Sequence, residues 1–125
     1  MQAEHQVKVS VDSFYLGAQS DPAEQRYVFA YCVNITNHSS LPVQLLRRYW
    51  LITDGNGKQT EVAGDGVIGV QPELQPGETY SYTSGAVLET PVGTMQGYYE
   101  MIDAAKHPFQ TPIPLFRLAM PHALN

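Results

Sequence analysis

EVAGDGVIGVQPELQPGETYSYTSG, residues 61–85, carries two signals that point to different architectures. Gly64, Gly66 and Gly69 spell G-x-G-x-x-G, which in a dinucleotide-binding unit follows a strand and opens a helix whose N-terminal amides hold a pyrophosphate. Here no helix can start. Val70-Gln71-Pro72 follows directly, where Pro72 drives Gln71 out of the helical region and Pro76 comes soon after. The second signal is Leu74-Gln75-Pro76-Gly77-Glu78-Thr79-Tyr80, a turn leading into a strand with Tyr80 and Tyr82 on one face. Leu74, Pro76 and Tyr80 have the look of a tyrosine corner, in which a hydroxyl closes the end of a sheet in immunoglobulin-like sandwiches. The glycines therefore bend a chain that goes on as sheet, and an anion held by them is held by a turn.

Working outward, Asp54-Gly55-Asn56-Gly57 reads as a hairpin turn, because Asp-Gly and Asn-Gly supply positive φ. A calcium loop starting at Asp54 is excluded, since Lys58 stands where an oxygen ligand is needed. Gln59 to Ala63 completes the hairpin. Val43 to Thr53 precedes it as a long strand, with Leu46, Trp50 and Ile52 expected on one face and Leu45, Tyr49 and Leu51 on the other. Arg47 and Arg48 put one guanidinium on each side. Arg26 to Asn37 alternates most clearly, with Tyr27, Phe29, Tyr31, Val33 and Ile35 on one face. Gln6 to Tyr15 repeats the pattern with Val7, Val9 and Val11. Downstream, Thr79 to Ser84, Val92 to Ile102 and Phe109 to Leu118 are further strands, the last confined to an edge by Pro112 and Pro114. About seven short strands with no helical period predict an all-β fold, an antiparallel immunoglobulin-like β-sandwich.

A chain of 125 residues fits one domain, residues 1–125, able to bury its own core, with 1–5 and 120–125 expected as loose termini. Seven basic against 12 acidic residues give a formal charge of −5, which opposes nucleic acid and anionic lipid as direct partners. The first residues lack a basic and an apolar region, and no run approaches a membrane span, so the expected location is cytoplasmic. A single cysteine, Cys32, rules out an intrachain disulfide and suits a reducing compartment. The two glycosylation tripeptides at Asn34 and Asn37 then read as chance.

Chemistry is sparse. His5, His38, His107 and His122 stand far apart without Cys partners, so neither a metal site nor a cofactor is expected. No G-x-S-x-G elbow occurs, and the carboxylate combinations Asp65 with Glu61 and Glu100 with Asp103 lack any sign of the burial that acid–base work needs, so the chain is read as no enzyme. One binding constellation remains. Amides freed by glycine can form an anion nest without a helix, which makes Gly64, Asp65, Gly66, Val67, Ile68 and Gly69 the candidate ligand-binding residues for a phosphate or pyrophosphate group. Asp65 and Glu61 oppose it by repulsion, while Lys58 or Arg47 are placed to fold over it. The alternative is structural, with glycines shaping a bulged connection.

The chain resembles the bacterial ApaG family nearly end to end. Arg26-Tyr27-Val28-Phe29-Ala30-Tyr31, Pro42-Val43-Gln44-Leu45-Leu46 and Arg48-Tyr49-Trp50-Leu51-Ile52 carry the resemblance early. Val70-Gln71-Pro72, Pro76-Gly77-Glu78, Tyr82-Thr83-Ser84-Gly85, Thr94-Met95-Gln96-Gly97 and Phe116-Arg117-Leu118-Ala119 carry it later. The resemblance implies a fibronectin type III-like sandwich, an association with cobalt tolerance and magnesium efflux, and a gene neighbourhood concerned with dinucleoside polyphosphate breakdown. Related eukaryotic domains, attached to F-box and DNA-polymerase-interacting proteins, look like binding modules. The family offers no established catalytic residues, and its glycine motif, matched by Gly64, Gly66 and Gly69, is discussed as a nucleotide or pyrophosphate site. Ala104-Ala105-Lys106-His107 departs from the Asn-Gly or Asp-Gly pair that relatives often have.

The expected function is therefore that of a non-enzymatic interaction protein acting on cation homeostasis through an unidentified protein partner. Exposed aromatic or apolar residues such as Tyr98 or Tyr99 would supply the surface, and sheet edges leave a homodimer open. The alternative is a binder of a phosphate-bearing small ligand at the glycine loop.

Overall fold

The computed structural model describes residues 6–122 and is built almost wholly of antiparallel strands. They are β1 (Val7–Tyr15), β2 (Tyr27–Asn37), β3 (Val43–Asp54), β4 (Gln59–Asp65), β5 (Glu73–Leu74), β6 (Thr79–Leu88), β7 (Val92–Asp103) and β8 (Pro108–Ala119). One sheet has the order β1-β2-β6; the other runs β4-β3-β7-β8, with the two-residue β5 also paired to β3. The seven long strands are those expected from alternation. β5 lies inside what reads as a turn, too short to leave a period in the sequence. Two short 3-10 turns, Gly17–Gln19 and Pro22–Glu24, occupy the connection before β2.

Alternation places the core. Phe29, Tyr31, Val33 and Ile35 of β2 are buried and face Leu45, Trp50, Met95, Tyr99 and Met101 of the second sheet. Each such side chain contributes roughly 1.5–3 kcal/mol of hydrophobic stabilisation. The expected faces of β3 need one correction. The register against β7 slips between Leu45 and Arg47, so Leu45 and Trp50, of opposite parity, both enter the core. A β-bulge at Leu46 inverts the alternation, a change a period-two reading cannot see. Its carbonyl is turned outward, where it accepts the Gly66 amide at 2.8 Å and the Gln71 side-chain amide at 3.0 Å.

The corner near Pro76 is closed by Asn37, not by tyrosine. The buried Asn37 donates from Nδ2 to the carbonyls of Leu41 and Leu74, and its main chain bonds Gly77 and Glu78. Tyr80 instead lies against Tyr82, ring centroids 6.3 Å apart. Burial also makes the Asn37 tripeptide useless for glycosylation, since its amide nitrogen is already engaged. Tyr99, expected on a surface, is 0% exposed and belongs to the core, whereas Tyr98 stacks on Tyr49 outside it at 5.0 Å.

The two flanks of the sandwich differ. On one, β1 meets β8, and the Ser13 hydroxyl donates to the Arg117 carbonyl at 2.8 Å. Pro112 and Pro114 sit on β8, the sheet edge, as their missing amides require. On the other flank β4 and β6 are both edges, and the glycine loop hangs between them. Of the termini expected to be loose, 1–5 and 120–125, residues 1–5 and 123–125 lie outside the described residues, while Met120 is tied by its amide to the Pro91 carbonyl at 2.8 Å.

Candidate binding site at the glycine loop

Each of the three glycines answers a different demand. A Cβ at Gly64 would lie 3.1 Å from both terminal nitrogens of Arg48, so its absence lets the guanidinium lie across the backbone of β4. Gly66, at φ +64°, leaves only 2.2 Å between a Cβ and the Val70 carbonyl oxygen, and no side chain fits there. Beyond it, Val67 and Val70 exchange both backbone hydrogen bonds, at 2.8 and 3.0 Å. Ile68 and Gly69 between them have φ +47° and +76°, the two left-handed residues of a type I′ hairpin turn. No helix follows; Pro72 accepts from Leu45, and the chain enters β5.

The turn seats Val67 in the core and leaves Ile68 at the tip, 61% exposed. The candidate ligand residues thus come together but do different things. The amides of Gly66 and Val67 are engaged by Leu46 and Val70, whereas no hydrogen bond among the described residues takes those of Ile68 and Gly69. The Asp65 carboxylate is drawn outward to Arg47 at 2.6 Å, which removes its repulsion from the loop interior. Arg47 also lies 3.4 Å from Glu100. Lys58 is remote from the loop, paired with Glu89 at 3.1 Å.

Sequence reasoning placed Arg48 on the opposite side of β3 from Arg47 without drawing the consequence. Its Nη1 donates to the carbonyls of Asp65 and Gly66, at 3.1 and 3.0 Å. The guanidinium lies in a cavity of about 250 Å³ lined by Tyr31, Trp50, Asp65, Val67, Ile68, Gly69, Tyr82 and Ser84. Behind this wall the Tyr82 and Tyr99 hydroxyls share a hydrogen bond. Desolvation pushes the Tyr82 phenol up to about 12, the bond from Tyr99 opposing it in part. Burial likewise raises Tyr99 and Tyr31, so all three are neutral hydroxyls at physiological pH. The signal in the sequence was an arginine sharing an inward face with Trp50, where burial disfavours charge unless something holds it.

The other chemical candidates are dispersed. Glu61 accepts from the Tyr49 hydroxyl at 2.8 Å, which raises the Tyr49 pKa, so Glu61 and Asp65 do not form an acid–base pair. Glu100 faces Arg47 while the Asp103 carboxylate accepts the amides of Ala105 and His107 within its turn. Cys32, on the outer face of the smaller sheet, lies 3.0 Å from the Thr83 hydroxyl. Among the described residues no three His, Cys, Asp or Glu side chains converge as metal ligands, and no helix is long and apolar enough to cross a membrane.

Comparison with known proteins agrees with the architecture. The ApaG domain model matches residues 17–103. Proteins named ApaG from Escherichia coli O1:K1 and from Shigella boydii serotype 18 are each 62% identical over 119 residues, 95% of this chain and 95% of theirs. The crystal structure of an ApaA protein from Bordetella pertussis superposes with a TM-score of 0.93 at 51% identity, covering 95% of this chain and 97% of that one. A structural-genomics X-ray structure gives 0.89 at 42% identity, covering 94% and 89%. A domain match over most of the chain, relatives of this identity and a shared sandwich lead to one assignment: this chain belongs to the ApaG family.

Proposed function

We propose that the chain is a non-enzymatic cytoplasmic binding module that presents the tip of its glycine loop to a protein partner. The observation that carries this reading is Ile68. A β-branched residue at φ +47° is a backbone outlier, and the left-handed region costs an L-residue about 1–2 kcal/mol. The Val67–Val70 backbone pair holds the turn, but no side-chain hydrogen bond among the described residues supports Ile68, and its side chain stands exposed with Val70 on the same hairpin. Strain kept under an exposed apolar side chain fits a contact residue better than a packing residue. The association with cobalt tolerance and magnesium efflux, implied by the ApaG resemblance, then runs through the bound partner.

Ile68→Asn tests this cleanly, because asparagine tolerates the left-handed region and leaves the fold intact. In cells relying on this chain for cobalt tolerance, the variant is expected to accumulate normally and fail to restore growth on cobalt. Full restoration by Ile68→Asn would remove the tip from the function.

A second reading keeps the loop as a holder of a phosphate-bearing ligand at Gly64, Asp65, Gly66, Val67, Ile68 and Gly69. It is favoured by the adjacent Ile68 and Gly69 amides, which no acceptor among the described residues takes. Titration with pyrophosphate while following those two amides by NMR decides it: immobile resonances end this reading.

A further inference from the structure

The two sheets are unequal in width, and the difference leaves a step. Thr60 and Val62 of β4 pair with Ile52 and Trp50, whose side chains turn toward the core, so they share that inward face. Both are nevertheless exposed, Val62 at 38%. Among the described residues the smaller sheet ends at β6 and has no fourth strand to cover them.

The wall of the step is the free edge of β6. The Asn37 amide donates to the Glu78 carbonyl, while on the other border of β2 the His38 amide donates to the Gln6 carbonyl. Odd-numbered residues of β2 therefore bond to β6 and even-numbered ones to β1, so Tyr80, Tyr82, Ser84, Ala86 and Leu88 spend their backbone groups on β2. Thr79, Ser81, Thr83, Gly85 and Val87 aim theirs out of the sheet, and no partner takes them among the described residues. Their side chains lie on the outer face, where Thr79, Ser81 and Thr83 bond Thr36, Asn34 and Cys32. The other borders are guarded, as sheet edges usually are. β8 carries Pro112 and Pro114 and meets β1, and the outward positions of β4 include Glu61 and Asp65. β6 runs for ten residues without a charge, a proline or a break in register.

Two cavities lie along this edge, one of about 250 Å³ beside Tyr82 and Ser84 and one of about 100 Å³ beside Thr60 and Leu88. Ser84 and Leu88 share a face and stand roughly 13 Å apart along the strand, so side chains at i and i+4 of an added strand reach one cavity each. Charge narrows the guest. Glu78 and Glu89 flank β6 on a chain of net charge −5, which opposes an acidic segment, while Arg48 in the larger cavity opposes a basic one. A second copy fits poorly, because pairing β6 with β6 brings its own β4 into the same step.

We propose that the free edge of β6 takes up one extended, uncharged segment of a partner protein as an antiparallel fourth strand, with alternate side chains set over Val62 and into the two cavities. It rests on the binding-module reading and gives the form in which the partner is held.

The probe is a capped peptide as long as β6, of alternating valine and serine with a glycine–lysine tail, added to the full chain and followed by NMR amide exchange. The outward amides of Ser81, Thr83 and Gly85 are expected to slow about tenfold or more, while those of Tyr82 and Ser84, already bonded to β2, stay as they were. Opposed residues of antiparallel strands share a face, so the peptide's serines face Thr83 and its outward neighbours with their N–H groups toward β6. N-methylation of the serines should abolish the slowing, and N-methylation of the valines should leave it. Thr83→Pro removes one outward amide and no bond to β2, and should abolish it as well. Val62→Lys changes an exposed floor position and should weaken binding several-fold even if Thr83→Pro fails to fold. Unslowed amides at millimolar peptide, or equal loss from both methylations, overturn the proposal. Slowing that follows protein concentration without peptide identifies a second copy and overturns it too. An unslowed edge with Ile68→Asn still failing on cobalt removes the edge and keeps the loop tip; a slowed edge with full restoration by Ile68→Asn removes the tip alone.

Discussion

Ile68 in the glycine loop and Lys106 in the β7–β8 turn both carry side chains at positive φ, 47° and 68°. Their surroundings differ. The Asp103 carboxylate accepts the amides of Ala105 and His107, each at 2.9 Å, while the Lys106 amide donates to the Asp103 carbonyl at 3.0 Å. The β3–β4 turn repeats this pattern: Asp54 accepts Asn56 and Lys58 at 2.8 and 3.0 Å, and the left-handed position is Gly57. The aspartate, not the glycine, therefore specifies that turn, and Lys106 is tolerated because two side-chain hydrogen bonds hold it. Ile68 has no such support. Its turn is held by the Val67–Val70 backbone pair and by Gly66 close beneath.

The largest expected effect breaks the loop side of the contrast. Gly66→Ala combines a clash with the Val70 carbonyl and an unfavourable φ, and should lose about 3 kcal/mol in urea unfolding. High pH comes next, because it attacks the tyrosines under the loop and spares the aspartate turn. A phenol whose pKa is raised on folding contributes stability that is intact below pH 10 and is lost as pH climbs through the folded value. With Tyr82 shifted from 10.0 to about 12, the loss should reach on the order of 2 kcal/mol near the upper value. Tyr31 and Tyr99 act in the same direction. Chevron or urea measurements from pH 9 upward check the slope, and a flat profile would contradict the burial of these hydroxyls.

Asp103→Ala probes the supported turn and should lose about 1 kcal/mol, with Asp54→Ala matching it, if the carboxylate is the specifying element in both. Ile68→Asn should do the reverse, gaining about 1 kcal/mol by relieving a β-branched outlier. That gain, together with loss of partner function, would be the trade-off expected of a strained contact residue. Lys106→Gly is the smallest change, a gain of about 0.5 kcal/mol, since glycine relieves φ but loses more entropy on folding. A Lys106→Gly gain as large as that of Ile68→Asn would erase the distinction between the two turns.

Much of this was legible in the residues. Alternation in β1 and β2 fixed which of their side chains turn inward, and Pro72 excluded the helix that the glycine spacing otherwise suggests. What escaped has physical reasons. A bulge adds no composition signal, so the inversion at Leu46 was invisible and the faces of β3 were assigned by unbroken parity. Tyr99 sits beside Tyr98 and looks equally available; only register decides that one lies inside. Asn37 took the corner role that Tyr80 had suggested, because a short amide can satisfy two carbonyls where a phenol satisfies one. The cavity depended on Arg48, Trp50, Tyr82 and Ser84, from strands far apart in the chain, and no local spacing links them.

The unequal flanks bear on how copies of this chain can add to one another. Strand-to-strand growth into a fibre needs free borders on opposite sides of each subunit, so that every addition exposes another. Here the β8 side carries prolines and is met by β1, and the unpaired borders of β4 and β6 face the same way. Strand addition is thereby opposed on the β8 side, where missing amides interrupt any ladder, and left open on the β4 and β6 side.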